Sequence, residues 1–184
     1  MKIGFDFDRV FINYPPFVPP SLIDWLYRRH GKKTLNYSIP RSLHSKIIRR
    51  LSHIAIFRPK IHKNIEFVKN FPHNPHPHQL YLISSRFKFL EKITHELLKT
   101  TGLADVFHTV YLNTKNRQPH FFKEDVIKEN KIELYIDDDL LLLKHLHKTC
   151  PNTKLLWYNP DNRPYPHNGI TPIRNLDEVT KFIR

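Results

Sequence analysis

The chain opens with the stretch KIGFDFDRV, from Lys2 to Val10, and the two aspartates in it decide the interpretation of the fold. Side chains alternate along a strand, so residues two positions apart point the same way. Asp6 and Asp8 are therefore predicted to lie together where the first strand ends. Two adjacent carboxylates repel each other unless a cation or a shared proton relieves the repulsion. The pattern favours metal-assisted chemistry, although a short motif of this kind also fits a solvated strand end.

The composition limits the classes of protein to which the chain can belong. Its 184 residues, 40% hydrophobic and 26% charged, suit one globular core with a small accessory unit. No apolar run approaches the roughly 18 residues of a membrane span, so we expect no membrane partner. Only 4 glycines are present, which excludes a glycine-rich phosphate loop. Cys150 is the single cysteine and the first strand leaves no room for a signal peptide, so a cytoplasmic location is expected.

Positive charge is concentrated in one part of the chain. The net charge is +13, and residues 14–75 hold 12 Lys+Arg against 2 Asp+Glu, or +10, which leaves +3 for the rest. Proline-rich passages border this segment at 14–20 and 71–78. We therefore predict a basic, mostly helical cap domain over 14–75 and a core domain over 1–13 and 76–184. The charge suggests an anionic substrate or partner, although a solvated basic surface has the same composition.

Inside this segment, helices are predicted after Ser21 and over 42–51 and 60–71. Outside it, strand and helix patterns alternate, with helices between the strands of the core. The strands expected after the first are 80–83, 106–112, 133–136 and 155–158, and a last helix is expected over 176–183. This alternation predicts an α/β fold with a Rossmann-like parallel sheet of about five strands, flanked by helices.

Polar residues follow three of the predicted strands. The first strand ends in Asp6 and Asp8, a second ends in Ser84 and Ser85, and another ends in Asp137 and Asp138. Ligands of open parallel sheets bind at the carboxyl ends of the strands. Lys123 stands one helix before the last acidic pair. We expect these side chains to meet at one edge of the sheet.

This combination resembles the haloacid dehalogenase-like (HAD) hydrolase superfamily, and within it the phosphatase branch. FDFDRV is similar to the first motif of the family, D-x-D-x-[TV], and Leu82-Ile83-Ser84 is similar to the second, an apolar strand ending in Ser or Thr. Lys123 matches the lysine of the third motif, and Ile136-Asp137-Asp138 matches the acidic fourth. The resemblance covers about 120 residues. The basic insertion lies where the family carries a cap, and is similar to that of nucleotidases.

The resemblance implies a role for each of these residues. Asp6 would be the nucleophile, forming an aspartyl-phosphate, and Asp8 would protonate the leaving oxygen and later deprotonate water. Lys123 would offset negative charge, and Ser84, with Ser85 and Arg86 as further candidates, would bind the phosphoryl group. Mg²⁺ would be held by the carboxylates of Asp6 and Asp138 and the main-chain carbonyl of Asp8, with Asp137 able to substitute.

The implied function is a magnesium-dependent phosphatase that acts on a small phosphorylated substrate, such as a nucleotide or a polynucleotide end. Arg9 departs from the family, which usually has glycine there, because an arginine does not adopt positive φ cheaply. This departure predicts either a different turn or an altered site. The alternative function is a nucleic-acid-binding protein on the same scaffold with little catalysis. Aromatic residues interleaved with the basic residues of the cap suit base stacking: Trp25, Tyr27, Tyr37 and Phe57.

Overall fold

The computed structural model describes residues 1–16, 35–40, 42–71, 78–164 and 169–183. The helix predicted after Ser21 lies outside these residues. Within the described ranges, no helix is both long and apolar enough to cross a membrane.

A parallel sheet of six strands forms the centre of the molecule. The strands are β1 (Lys2–Phe5), β2 (Gln79–Phe87), β3 (Thr109–Asn113), β4 (Leu134–Asp137), β5 (Lys154–Tyr158) and β6 (Ile170–Ile173). Their order is β3-β2-β1-β4-β5-β6, and every neighbouring pair is parallel. The chain therefore adds β2 and β3 on one side of β1 before it adds β4, β5 and β6 on the other side. The carboxyl end of β1 is the point where strand order reverses, which is the usual place for a ligand in such sheets.

The predicted α/β architecture is confirmed, and the sheet has one strand more than expected. β6 reads ITPI, a four-residue edge strand that contains a proline. Proline is tolerated at a sheet edge but lowers the strand signal in the sequence. β2 also continues past Ser84 to Phe87, with an irregular register between these two residues.

Five α-helices are described: α1 (Leu43–Leu51), α2 (His62–Lys69), α3 (Glu91–Thr101), α4 (Pro119–Asn130) and α5 (Leu140–Thr149). Ser42 caps α1 through its side chain, and Gly102 ends α3 with φ of 71°. The start of α1 agrees with the helix predicted over 42–51. The predicted last helix is a 3₁₀ helix, Leu176–Phe182.

Alternating strand residues build one core on each face of the sheet. Ile3 and Phe5 point to the face covered by α2 and α3, whereas Tyr135 points to the face covered by α4 and α5. Ile65 and Val68 of α2 belong to the same core as β1. The second half of the basic segment thus rests on the sheet, and the boundary between cap and core at residue 75 stays a prediction.

Gly4 makes room in the centre of β1 for the ring of Tyr135. A Cβ atom at position 4 would lie 2.9 Å from Cδ2 of Tyr135, 3.2 Å from Ile83 and 3.3 Å from Ile132. Tyr135 is fully buried, and its hydroxyl donates a hydrogen bond to Asp137 at the end of β4. The missing side chain at Gly4 thus helps to place an acidic side chain two residues beyond Tyr135.

We expect Gly4→Ala to lower the free energy of unfolding by about 1–3 kcal/mol, because the added methyl group overpacks a core that cannot open. Urea unfolding measures the change. Glu129→Ala, on the exposed surface of α4, is the control and should stay within about 0.5 kcal/mol of the wild type. Equal stabilities of the two variants would contradict the tight packing around Gly4.

Candidate active site

Three carboxylates meet at the carboxyl ends of β1 and β4. One oxygen from each of Asp6, Asp137 and Asp138 lies within 4.8 Å of the others. The main-chain N–H of Asp6 donates to the carbonyl of Ile136 at 2.9 Å, which fixes the two strand ends side by side. Asp6 and Asp137 are buried and Asp138 is partly buried. The predicted meeting of the first and fourth motifs is present in the structure.

Lys123 of α4 supplies the positive charge inside this cluster. Its Nζ lies 2.9 Å from Oδ1 of Asp6 and 2.6 Å from Oδ2 of Asp137. Burial alone would lower the pKa of Lys123, but these two carboxylates raise it well above its usual value. Burial raises the pKa of Asp6, and the neighbouring carboxylates raise it further against the opposing effect of Lys123. A second cation near Asp6 would therefore favour its ionised, nucleophilic form.

Hydrogen bonds hold the acidic loop after β4 in place. Oδ1 of Asp137 accepts from the main-chain N–H of Asp139 at 2.9 Å, and the indole of Trp157 donates to the carbonyl of Asp138 at 3.0 Å. The Asp139 side chain caps α5 by accepting from the N–H groups of Leu141 and Leu142. Asp137 and Asp138 are thus presented by an ordered turn.

Asp8 lies apart from the carboxylate cluster and is held by two arginines. Nε of Arg86 donates to Oδ2 and Nη2 of Arg86 donates to Oδ1, both at 2.9 Å. Nη2 of Arg58, from the chain segment between α1 and α2, also contacts Oδ1. Burial alone would raise the pKa of Asp8, but the two guanidinium groups outweigh burial and hold the pKa far below its usual value. Arg86, predicted as a phosphate ligand, is committed to Asp8 in this structure.

The two serines after the second predicted strand differ in position. A cavity of about 110 Å³ lies over the carboxylates, and Ser85 lines it together with Asp6, Asp8 and Lys123. Ser84 is fully buried and is not among the described residues that line this cavity. The hydroxyls of both serines are buried without a hydrogen-bond partner among the described residues. The cavity therefore favours Ser85 over Ser84 for a contact with a bound group.

The donor set in this cluster fits Mg²⁺. Asp6, Asp137 and Asp138 offer hard carboxylate oxygens that converge from two strand ends, as a site for Mg²⁺ requires. The Asp8 carboxylate is engaged with Arg86. The contribution of Asp8 through its main-chain carbonyl stays a prediction.

Solved structures with the same architecture are HAD-like proteins. A HAD phosphatase from Thermococcus onnurineus aligns over 99% of this chain and 97% of its own, with a TM-score of 0.58 and 17% identity. A HAD-like family hydrolase from Xanthomonas campestris aligns over 98% of this chain and 93% of its own, with a TM-score of 0.60 and 11% identity. The chain has the fold of the HAD-like hydrolases.

A third HAD-like neighbour was solved with magnesium bound. The HAD-hydrolase YfnB from Bacillus subtilis aligns over 75% of this chain, with a TM-score of 0.54 and 18% identity. This chain spans 60% of the length of YfnB. No protein-family model and no curated protein matches the sequence. The resemblance seen in the four motifs is confirmed at the level of the HAD-like fold, and the nucleotidase-like form of the cap stays a prediction.

The HAD-like motifs did not identify four further residues that line the cavity: Tyr14, Tyr37, His53 and Arg58. The hydroxyl of Tyr37 donates to Asp139 at 3.1 Å, and the backbone of Tyr37 pairs with the side chain of Gln118 just before α4. All four come from the insertion, where no motif marks them. Their only sequence signal is the basic and aromatic composition of that segment.

His53 provides a test of the buried electrostatics. Burial lowers its pKa well below 6.5, and Arg86 and Arg58 lower it further. The folded protein therefore keeps His53 neutral, whereas the unfolded chain takes up a proton as the pH falls through about 6.5. The free energy of unfolding should fall below that pH, by at most about 1.4 kcal/mol per pH unit from this group.

We expect His53→Asn to lose less stability than the wild type between about pH 7 and about pH 5, as measured by urea unfolding. His44→Asn, at an exposed position of α1, is the control. Parallel losses in the wild type and in His53→Asn would show that His53 is not held neutral in the folded state.

Proposed function

We propose that the protein is a magnesium-dependent phosphatase that works through a phosphorylated Asp6. The observation that supports it most is the convergence of Asp6, Lys123 and the Asp137–Asp138 pair beneath one cavity at the end of the central strand. The HAD-like fold of the chain agrees with this assignment but does not specify the substrate. The proposal therefore depends on the chemistry that this set of side chains can perform.

The first half of the reaction transfers the phosphoryl group to the protein. A carboxylate oxygen of Asp6 forms a bond to phosphorus, and the bond from phosphorus to the leaving oxygen breaks with its electron pair on that oxygen. In the second half, water attacks phosphorus, Asp8 accepts the proton of the water, and the bond from phosphorus to Asp6 breaks. The products are phosphate, the leaving group with its oxygen, and a regenerated Asp6 carboxylate. Asp8 returns its proton to the leaving oxygen or to solvent before the next turnover.

Charge balance decides which residues support these steps. When bound, Mg²⁺ supplies positive charge that brings the anionic phosphoryl group and the anionic nucleophile together. Lys123 holds Oδ1 of Asp6 and leaves the second carboxylate oxygen without this contact. Ser85 has a buried hydroxyl at the cavity that can donate to a phosphoryl oxygen.

The contacts of Asp8 limit what its carboxylate can do in either half of the reaction. Both oxygens accept hydrogen bonds from Arg86, and the two arginines hold the pKa of Asp8 far below its usual value, so it stays ionised but only weakly basic. Taking a proton from water, like giving one to a leaving oxygen, therefore requires an arginine to release one of these oxygens. An aryl phosphate is therefore a suitable first probe, because its leaving group departs as a stable anion with little need of a proton.

The volume of the cavity limits the size of the group that it can enclose. At about 110 Å³ it is well below the ~300–1,000 Å³ of pockets that enclose a drug-sized ligand. We infer that it takes the phosphoryl group, with the aromatic side chains of Tyr14 and Tyr37 among the residues that line it.

The alternative function, nucleic-acid binding, gains little support from the described part of the insertion. Arg58 is buried on Asp8, and Nε of Arg50 donates to the carbonyl of Phe89. The outward side chains of α1 include apolar residues, with Leu43 68% and Ile48 63% exposed. A phosphate backbone is bound by exposed basic side chains rather than by apolar ones.

We expect the protein to release phosphate from p-nitrophenyl phosphate only when Mg²⁺ is added, with EDTA abolishing the release. Asp6→Asn removes the nucleophile and should lower kcat by at least about a thousandfold. The measurement is p-nitrophenol absorbance, with wild type and variant prepared in parallel.

Asp105→Asn is the matched control, because it makes the same chemical change at an exposed position away from the cavity. Its kcat should equal that of the wild type. Metal-independent turnover, or turnover that persists in Asp6→Asn, would contradict the proposed function.

A further inference from the structure

Arg9 occupies a backbone conformation that normally belongs to glycine. Its φ is 60°, in the left-handed region that non-glycine side chains disfavour. The main-chain N–H of Arg9 donates to the carbonyl of Ile12 at 2.7 Å, which closes the turn after β1. The turn is therefore one that glycine would form without strain, and the arginine is held there at an energetic cost.

The side chain of Arg9 reaches back into the carboxylate cluster. Its Nη1 lies 3.1 Å from Oδ2 of Asp138, and its Nη2 lies 3.7 Å from Oδ2 of Asp161. The guanidinium also lies 5.3 Å from the ring centre of Tyr14. The side chains of Arg9 and Asp138 are only 20% and 15% exposed, so water and salt screen this pair less than a surface ion pair.

We propose that Arg9 weakens the binding of Mg²⁺ by acting as a resident cation on Asp138. This inference rests on the metal site of the proposed function. Asp138 is one of the three carboxylates that could hold the metal, and one of its oxygens is already engaged by Arg9. A divalent cation on the same carboxylate meets a like charge at close range, and it gains less from a carboxylate whose charge is partly neutralised.

Asp161 provides a second position for the guanidinium. It is 63% exposed and already within 3.7 Å of Arg9, so the side chain can move towards it without losing every ionic partner. Entry of a metal at Asp138 is therefore opposed by Arg9 but not blocked. The arginine sets the affinity for the metal rather than deciding whether the metal binds.

The test compares the dissociation constant for Mg²⁺ in the wild type, Arg9→Gln, Arg9→Gly and Arg9→Lys, by titration calorimetry with MgCl₂ at one pH and ionic strength. Arg9→Gln removes the charge and keeps a side chain in the left-handed turn, whereas Arg9→Gly removes both the charge and the strain. Arg9→Lys keeps the charge. Arg174→Gln, on the exposed surface, is the control for the change in net charge.

We expect Arg9→Gln and Arg9→Gly to bind Mg²⁺ about tenfold or more tightly than the wild type, to similar extents. Arg9→Lys and Arg174→Gln should stay within about threefold of the wild type. Unchanged or weaker binding in Arg9→Gln overturns the inference, as does a failure of every variant to bind the metal. Tighter binding in Arg9→Gly alone also overturns it, because backbone strain would then be the cause.

The outcome is separable from that of the proposed function, because metal affinity is measured without turnover. Tighter binding in Arg9→Gln, with no phosphate release by any form of the protein, would leave the role of Arg9 intact and remove the phosphatase. Mg²⁺-dependent phosphate release, with equal affinities for Mg²⁺ in all variants, would support the phosphatase and remove the role of Arg9.

Discussion

The site depends on the buried ammonium of Lys123, which lies between the carboxylates of Asp6 and Asp137. All three side chains are more than nine-tenths buried, and each charge taken from water without a partner would cost several kcal/mol, about 3–5 for a broken pair. The sheet places the two acids at adjacent strand ends, and α4 places the lysine beneath them. Gly4 contributes from the strand interior, because it admits the tyrosine whose hydroxyl binds Asp137. The packing of the core around Gly4 and the electrostatics of the site at Asp137 are therefore connected through the same tyrosine.

Four of the acids at the described cavity have a cation near them. Lys123 serves Asp6 and Asp137, Arg86 and Arg58 serve Asp8, and Arg9 serves Asp138. These pairs offset the cost of crowding carboxylates in a buried place. Under the proposed function, a phosphate dianion and a divalent cation add no net charge when they enter together. A site in which four acids face four cations would then favour their joint binding over that of either alone.

The sequence predicted the sheet and most of the acidic centre, because both follow from local patterns. Short apolar runs predicted β1, β4 and β5, and Asp6 with Asp137 and Asp138 had to meet once those strands were neighbours. Lys123 followed from the third motif of the family, because it lies on the helix that precedes β4. The second motif pointed to Ser84 before Ser85, whereas Ser85 is the one that lines the cavity, in a part of β2 whose irregular register the sequence does not reveal. Arg58 was unpredictable, since its contact with Asp8 spans 50 residues and no motif marks it.

Asp6 is the proposed acceptor of the phosphoryl group, and chemical trapping of the aspartyl-phosphate tests this role. The protein would be mixed with p-nitrophenyl phosphate and Mg²⁺ and quenched in acid. Borohydride, which reduces an aspartyl-phosphate to homoserine, would be added next, and the peptide that contains residue 6 would be read by mass spectrometry. We expect homoserine at position 6 when substrate and metal are present together. Phosphate release without this modification, or with the modification at Asp8 or Asp137 instead, would contradict it.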